Sequence, residues 1–280
     1  MSWSFTTEVE TYLEQVVALL TDAPDEHTAT LSVIDDARAR TVHADPTELF
    51  GWWTDHRGQV TGGVCLTPPH QPLLEVAPEA AIRPLVEDLT AMGHVPTGVT
   101  GPTPLAVSFA AHAAGHLGLT ARLDHAMTLY RVEVLARPNP LPPGHARLVV
   151  DADAALLREW AVAFAAETAT PESDAIDAAA RQELSTSGYQ VWEAPDGTVV
   201  SLAGRTQPAW GVARIGPVYT PPDVRGHGYA AAVTYTVTSA LLDQGVRAVL
   251  FTDLASPAPN ALYQRLGYQA MAQWASLVLE

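Results

Sequence analysis

The sequence contains no lysine; all 15 of its basic residues are arginine. That bias reflects composition and bears on no mechanism by itself. A single cysteine, Cys65, excludes an internal disulfide framework and most thiolate metal sites, and reads as a small buried hydrophobe. No apolar run approaches the ~18 residues of a membrane span. The start, Met1 to Glu10, has neither the basic stretch nor the small-residue cleavage site of a secretory signal. These absences together lead us to expect a soluble cytoplasmic protein with no membrane partner. Positive charge is scarce as well, and the net charge is −16. Val199 to Glu280 holds five Arg against four carboxylates, net +1, so the other 198 residues carry −17. Such a field disfavours nucleic acid, whose phosphates call for stripes of basic side chains. An anionic small cofactor is still tolerable in the near-neutral C-terminal part.

What is present suffices for two domains: 280 residues, 48 % of them apolar. Arg137 to Gly144 carries four prolines in eight residues, which neither a helix nor a central strand can absorb, so it reads as a semi-rigid linker. The second half then alternates. A strand over Ala146–Val150 leads to a helix capped by Asp151 or Asp153 and running to about Glu167. A second helical stretch is expected from about Asp174 to Leu184. Tyr189–Glu193 and Thr198–Thr206 form a hairpin around Pro195-Asp-Gly197. Trp210–Thr220 is a strand. Tyr229–Gln244 has strand-like alternation at Val233, Tyr235 and Val237, but its length without a turn signal, ending at Gly245, makes it a helix. Arg247–Asp253 is a strand, Pro259–Leu266 a helix, and Tyr268–Leu279 a terminal strand. The first half ends on a strand over Leu129–Leu135.

The halves resemble one another. Trp52 to Val60 and Val191 to Val199 both place an aromatic strand, a polar turn with glycine and a second strand in succession. His116-Leu-Gly-Leu119 matches Arg265-Leu-Gly-Tyr268 at an offset of 149 residues. The shared order points to a duplicated fold.

Arg225-Gly-His-Gly-Tyr-Ala230 stands between a strand and a long helix, and physically it is an anion site. Gly226 and Gly228 let the backbone approach a ligand, unpaired N–H groups face outward, and the helix dipole and Arg225 add positive charge. Read alone, the segment is equally an ordinary glycine turn. Its neighbours carry the resemblance. Arg225, Gly228 and Ala230 fill the Arg/Gln-x-x-Gly-x-Gly/Ala pattern of the GNAT (GCN5-related) N-acetyltransferases, preceded by the strand end Val218-Tyr219-Thr220. Asn260-Ala-Leu-Tyr-Gln-Arg-Leu-Gly-Tyr268 is similar to that family's second signature. The resemblance covers about 135 residues and implies acetyl-CoA as cosubstrate, with no metal.

The resemblance also implies roles. The backbone of Gly226, His227, Gly228, Tyr229, Ala230 and Ala231 would hold the pyrophosphate, Val218 and Thr220 the pantetheine arm as if it were an added strand, and Asn260 the same arm by its side chain. Tyr263 would face the departing thiolate. The implied fold is α/β, with two GNAT-like domains, each a central mostly antiparallel sheet flanked by helices: residues 1–140 as a degenerate copy and 144–280 as the catalytic one. At the 149-residue offset Asn260 maps to Ala111 and Tyr263 to Ala114, and no Arg-x-x-Gly-x-Gly/Ala loop precedes Gly144. The first domain is then expected to have the fold without the chemistry. Its expected use is to wall the acceptor cleft or to mediate assembly, a homodimer among the assemblies left open.

A free phenol titrates near 10 and an alkyl thiol near 8.5, so hydrogen bonding to developing charge is the expected action of Tyr263. No general base is assigned; Glu167, Glu172 and Glu193 are nearby in sequence, and a water relay is equally open. The acceptor is an amine, on a small molecule or a protein. Two other readings stand beside this one. The first is a CoA-responsive module without turnover. The second is a dinucleotide-binding oxidoreductase, because Gly226-His-Gly228-Tyr-Ala-Ala231 also fits G-x-G-x-x-A with Asp253 downstream. The five residues Pro221 to Arg225 ahead of the first glycine count against the latter. His112 and His116 share a helix face, but no third ligand is evident.

Overall fold

The computed structural model describes residues 1–39, 47–168 and 188–280. The helix expected near Asp174–Leu184, and Glu172, lie outside the described residues. In chain order the elements are β1 (Ser2–Thr6), α1 (Val9–Asp22), α2 (Thr28–Ala39), β2 (Leu49–Thr54), β3 (Val60–Leu66), β4 (Leu73–Val76), α3 (Glu79–Ala91), β5 (Gly98–Pro102), α4 (Thr103–Leu117) and β6 (Ala121–Val132). Then come β7 (His145–Leu148), α5 (Ala154–Thr168), β8 (Gln190–Glu193), β9 (Val199–Arg205), β10 (Val212–Tyr219), α6 (Tyr229–Leu242), β11 (Arg247–Asp253), α7 (Pro257–Arg265) and β12 (Tyr268–Leu279).

These fold into two compact units. The first comprises Met1–Leu129, Thr252–Pro257 and Ala270–Glu280, and the second Tyr130–Phe251 and Ala258–Gln269. In the first unit β1 to β4 pair antiparallel in sequence order, β4 meets β5 in parallel, and β12 lies antiparallel to β5. One core cluster unites Ile82, Leu85 and Leu89 of α3 and Phe109 of α4 with strand residues Leu74, Val99 and Leu277. A second unites Tyr12, Val16 and Leu20, four residues apart on α1, with Leu31, Ile34, Phe50 and Cys65. Burial pushes the Cys65 thiol up to about 12, so it behaves as the small hydrophobe expected.

The second unit repeats the plan: β7, β8, β9 and β10 pair antiparallel in order, and β10 meets β11 in parallel. On α6, Val233, Val237 and Leu241 recur every four residues and are all buried. That period explains why the segment is a helix despite its local alternation. The turns match in detail. Asp55 N–H bonds Gln59 C=O and Gly58 N–H bonds Asp55 C=O; Ala194 to Thr198 and Gly197 to Ala194 do the same. Gly118 and Gly267, both at positive φ (+70° and +95°), end α4 and α7 ahead of the long strands β6 and β12.

The proline run is irregular, as its composition requires. By compactness the first unit ends at Leu129 and takes in the last strand from Ala270, and the second begins at Tyr130. Proline marks where regular pairing must stop, but it cannot say which sheet the flanking strands enter. The strand expected over Leu129–Leu135 is instead the longer β6, ending at Val132.

One ionic knot anchors the start of α5. Arg147 Nη1 and Nη2 donate to Asp153 Oδ2 and Oδ1 at 2.7 and 2.9 Å, and its Nε donates to Glu193. Asp153 Oδ2 also accepts the Val150 N–H at 2.9 Å. The Arg147 guanidinium holds the buried Asp153 carboxyl below the usual carboxylate range. A depressed folded-state value contributes stability above the unfolded one, lost as pH falls through it. Arg147→Met, which strands that carboxylate, is expected to cost about 3 kcal/mol at pH 7. In thermal melts the gap from wild type should shrink below about pH 4.

Candidate active site

The β10–β11 ladder runs from Val212↔Arg247 to Arg214↔Val249, and no further pair follows among the described residues. On its other edge β10 stays paired, with Val218 opposite Ala203 and Tyr219 opposite Leu202, after a register shift between Ile215 and Val218. A bulge at that point turns the strand end, so β10 parts from β11 while β9 still holds it. Ser201, fully buried, bonds both the Tyr219 carbonyl (3.0 Å) and the Thr220 hydroxyl (2.8 Å). Its one hydrogen goes to the carbonyl, so Thr220 Oγ1 donates to Ser201. The Thr220 carbonyl in turn accepts Arg225 Nε at 2.8 Å. The strand end is thus pinned from its β9 side.

After β10 the chain makes one short turn at Pro222–Val224 and enters α6 through Gly228. Gly226 and Gly228 have φ of +81° and +84°, where a side chain is strained. Nothing lies within 4 Å of the space a Cβ on Gly226 would fill. The first helical bond is Ala232 N–H to Gly228 C=O, at 3.0 Å. No side chain caps the helix, and the N–H groups of Tyr229, Ala230 and Ala231 find no acceptor among the described residues. His227 folds against the loop, its Nδ1 3.2 Å from the Val224 carbonyl and its ring stacked on Tyr229. The result is an open cradle of uncommitted donors at the positive end of a helix.

Arg225 differs from expectation. Its Nη2 donates to Glu167 Oε2 at 2.6 Å, and its guanidinium carbon stands 5.8 Å from the Tyr219 ring centroid. The Tyr219 hydroxyl donates to the other Glu167 oxygen at 3.1 Å. Burial, and then the Glu167 carboxylate, raise the Tyr219 phenol. Arg225 therefore braces the loop against α5 and the end of β10, and Glu167 offsets the charge it was expected to lend. As a base candidate Glu167 is engaged by two donors, and Glu193 is engaged by Arg147.

Helix α7 carries Asn260 and Tyr263. Tyr263, only 8 % exposed, belongs to the same buried cluster as Ile215 of β10 and Leu250 of β11. It meets Tyr268 edge-on at 5.9 Å, and the Tyr268 hydroxyl is bonded to Thr238 at 2.7 Å. The Tyr263 hydroxyl has no hydrogen-bond partner among the described residues. Burial alone pushes its phenol up to about 12. Asn260 Oδ1 accepts the Tyr130 hydroxyl at 3.1 Å. Sequence reading missed Tyr130, Ser201 and Gln264. Their partners lie 130, 18 and 134 residues away along the chain, and no local pattern links them.

The first unit lacks the equivalent features. Only Ala77 and Pro78 separate β4 from α3, where Thr220 to Gly228 stand in the second unit. A Cβ on Gly101 of β5 would run into the Leu74 carbonyl of β4, so these strands stay close where β10 and β11 part. Ala111 and Ala114 lie on α4, the counterpart of α7. His112 and His116 are exposed, and among the described residues no three His, Cys, Asp or Glu are grouped to hold a metal. The dinucleotide reading meets an obstacle in the sheet: β7 to β10 run antiparallel where that fold needs parallel strands.

Comparison with known proteins agrees with this architecture. Residues 197–277 match the family model of FR47-like proteins. A GNAT-family acetyltransferase from Colwellia psychrerythraea superposes with a TM-score of 0.62 at 13 % identity, covering 100 % of this chain and 99 % of that one. The chain has the fold of the GNAT superfamily. A GCN5-related N-acetyltransferase from Sphaerobacter thermophilus gives 0.60 at 17 % identity, over 89 % of this chain and 84 % of that one. A tandem GNAT protein from the clavulanic acid biosynthesis pathway gives 0.54 at 15 % identity, over 99 % and 98 %. No curated protein matches the sequence. At such identities the likeness speaks for the GNAT fold and not for a substrate. No helix among the described residues is long and apolar enough to cross a membrane.

Proposed function

We propose that the second unit is an acetyl-CoA-dependent N-acyltransferase acting on an amine of a small molecule or a protein. The observation that carries this reading is the cradle of unpaired N–H groups at Tyr229, Ala230 and Ala231, with two glycines keeping it open. Its donors suit a pyrophosphate without any added cation. The backbone at Val218 and the Thr220 N–H suit the amide-bearing arm of the same cosubstrate, because the parted edge of β10 can accept an added strand. Asn260 adds a side-chain contact to that arm. When bound, acetyl-CoA supplies a thioester carbonyl open to attack by an amine.

Tyr263 supplies a hydroxyl donor within a water-poor wall. With its phenol at about 12 it remains protonated at any working pH. Complete transfer of its proton to a thiolate of pKa ~8.5 would be uphill by roughly 5 kcal/mol. Tyr263 therefore acts by hydrogen bonding to negative charge as it develops on sulfur. The attacking amine, at pKa ~10.4 when lysine-like, must lose a proton at a cost of roughly 4–5 kcal/mol near neutrality. We assign that step to no side chain, since Glu167 and Glu193 already accept from other groups.

That same commitment of both carboxylates favours one second reading, a CoA-responsive module without turnover. The deciding measurement is thiol release from acetyl-CoA across a panel of small amines and peptides. Amine-dependent release that saturates in both substrates is expected. Tight CoA binding with no release on any amine would support the module, and no CoA binding at all would end both readings.

A further inference from the structure

Asn260 is gripped from behind by a second, fully protein-made relay. Tyr130, at the end of β6 and 4 % exposed, belongs to the second unit and packs in the same core as Tyr263 and Leu250. Its hydroxyl lies 3.1 Å from Asn260 Oδ1 and 3.2 Å from Gln264 Nε2. An amide nitrogen can only donate, so the Tyr130 oxygen accepts from Gln264. A phenol has one hydrogen, and it is left for Asn260 Oδ1. The chain of donation runs Gln264 to Tyr130 to Asn260. Asn260 and Gln264 are four residues apart on α7, so both reach the one hydroxyl from the same helix face. Each bond polarises the next, and the relay has one sense only.

The consequence is chemical. An asparagine amide can present either its carbonyl or its NH₂, two ends nearly identical in size but opposite in hydrogen bonding. With Oδ1 turned toward Tyr130, the NH₂ is turned away from it. We propose that Tyr130, held by Gln264, is a positioning residue that fixes Asn260 as a hydrogen-bond donor to the amide carbonyls of the acetyl-CoA arm. This rests on the acyltransfer reading above. It also gives the end of β6, which precedes the proline run, a part in the site of the second unit.

The test is a double-mutant cycle over Tyr130→Phe and Asn260→Ala, with acetyl-CoA binding measured by calorimetry and thiol release measured kinetically. Tyr130→Phe keeps the ring and its packing, and its melting temperature shows whether the fold is intact. Tyr130→Phe is expected to weaken acetyl-CoA binding about five-fold, the worth of one hydrogen bond, and to raise KM by a similar factor while kcat changes less than about two-fold. In the Asn260→Ala background the same substitution is expected to cost nothing further, because the group it orients is gone. Gln264→Leu should show a smaller effect of the same kind. Equal losses from Tyr130→Phe with and without Asn260 would overturn the positioning role and leave acyl transfer standing. A fall in kcat with KM unchanged would overturn it likewise, as a packing effect. Wild type that binds no acetyl-CoA would overturn both together.

Discussion

Replacing Tyr263 by phenylalanine is expected to lower kcat about a hundredfold, with KM for acetyl-CoA and the melting temperature almost unchanged. The magnitude follows from removing one donor aimed at developing charge in a site sheltered from water, worth about 3 kcal/mol. The separation of kcat from KM follows from where the hydroxyl acts. It has no hydrogen-bond partner among the described residues, so its loss leaves no protein group stranded. The ring keeps its edge contact with Tyr268 and its place in the buried cluster. The pH dependence distinguishes hydrogen bonding from proton delivery. With the phenol at about 12, Tyr263 stays neutral through the accessible range. The profile of kcat/KM should therefore show no falling limb from this residue below about pH 11. A falling limb near pH 9 to 10 that vanishes in Tyr263→Phe would mean that the phenol is more acidic in the complex and does transfer its proton.

The same displacement has a stability counterpart with a definite sign. A phenol whose folded value lies above its unfolded value of ~10 contributes stability below that pH, and the contribution is lost as pH rises from ~10 through the folded value of about 12. Wild type should thus lose stability faster than Tyr263→Phe in alkali above pH 10. Unaltered kcat in Tyr263→Phe would return the residue to the role of a core aromatic.

What the sequence made legible was local. Where the second half is described, its strand and helix periods are found with small boundary differences, Arg247–Asp253 without any. The glycine loop stands at the mouth of a helix, as its composition requires. These features depend on residues within one or two turns of each other, and backbone sterics decide them. The relations that failed to show are long-range. Arg225 looked like a free charge because Glu167, its partner, lies 58 residues upstream. Tyr130 stood in a segment assigned to the other half, because proline marks a break in pairing but not strand membership. The inactivity expected of the first half was legible only as missing motifs. The structure adds one further difference between the units: a Cβ on Gly101 would meet the Leu74 carbonyl, so β5 lies close upon β4 where β10 and β11 part.

The cradle itself can be tested with a substitution whose two effects have opposite signs. Ala230→Asp is expected to raise the melting temperature slightly and to weaken acetyl-CoA binding roughly a hundredfold. Ala230 is the second residue of α6, whose first turn contains no acidic side chain. A carboxylate there meets the positive end of the helix dipole and stabilises the ligand-free protein by about 0.3–1 kcal/mol. It also stands among the N–H groups that would hold the pyrophosphate. Two unit charges 4 Å apart near a protein surface repel by about 4 kcal/mol, and partial exposure reduces this toward the 3 kcal/mol that a hundredfold represents. Added salt should recover part of the loss. Ala230→Asn matches the shape without the charge and should bind within about ten-fold of wild type. A general defect in the helix would lower stability and affinity together, and an anion site elsewhere would leave affinity untouched. Only a phosphate cradle at the start of α6 makes the protein more stable and less able to bind through one added charge.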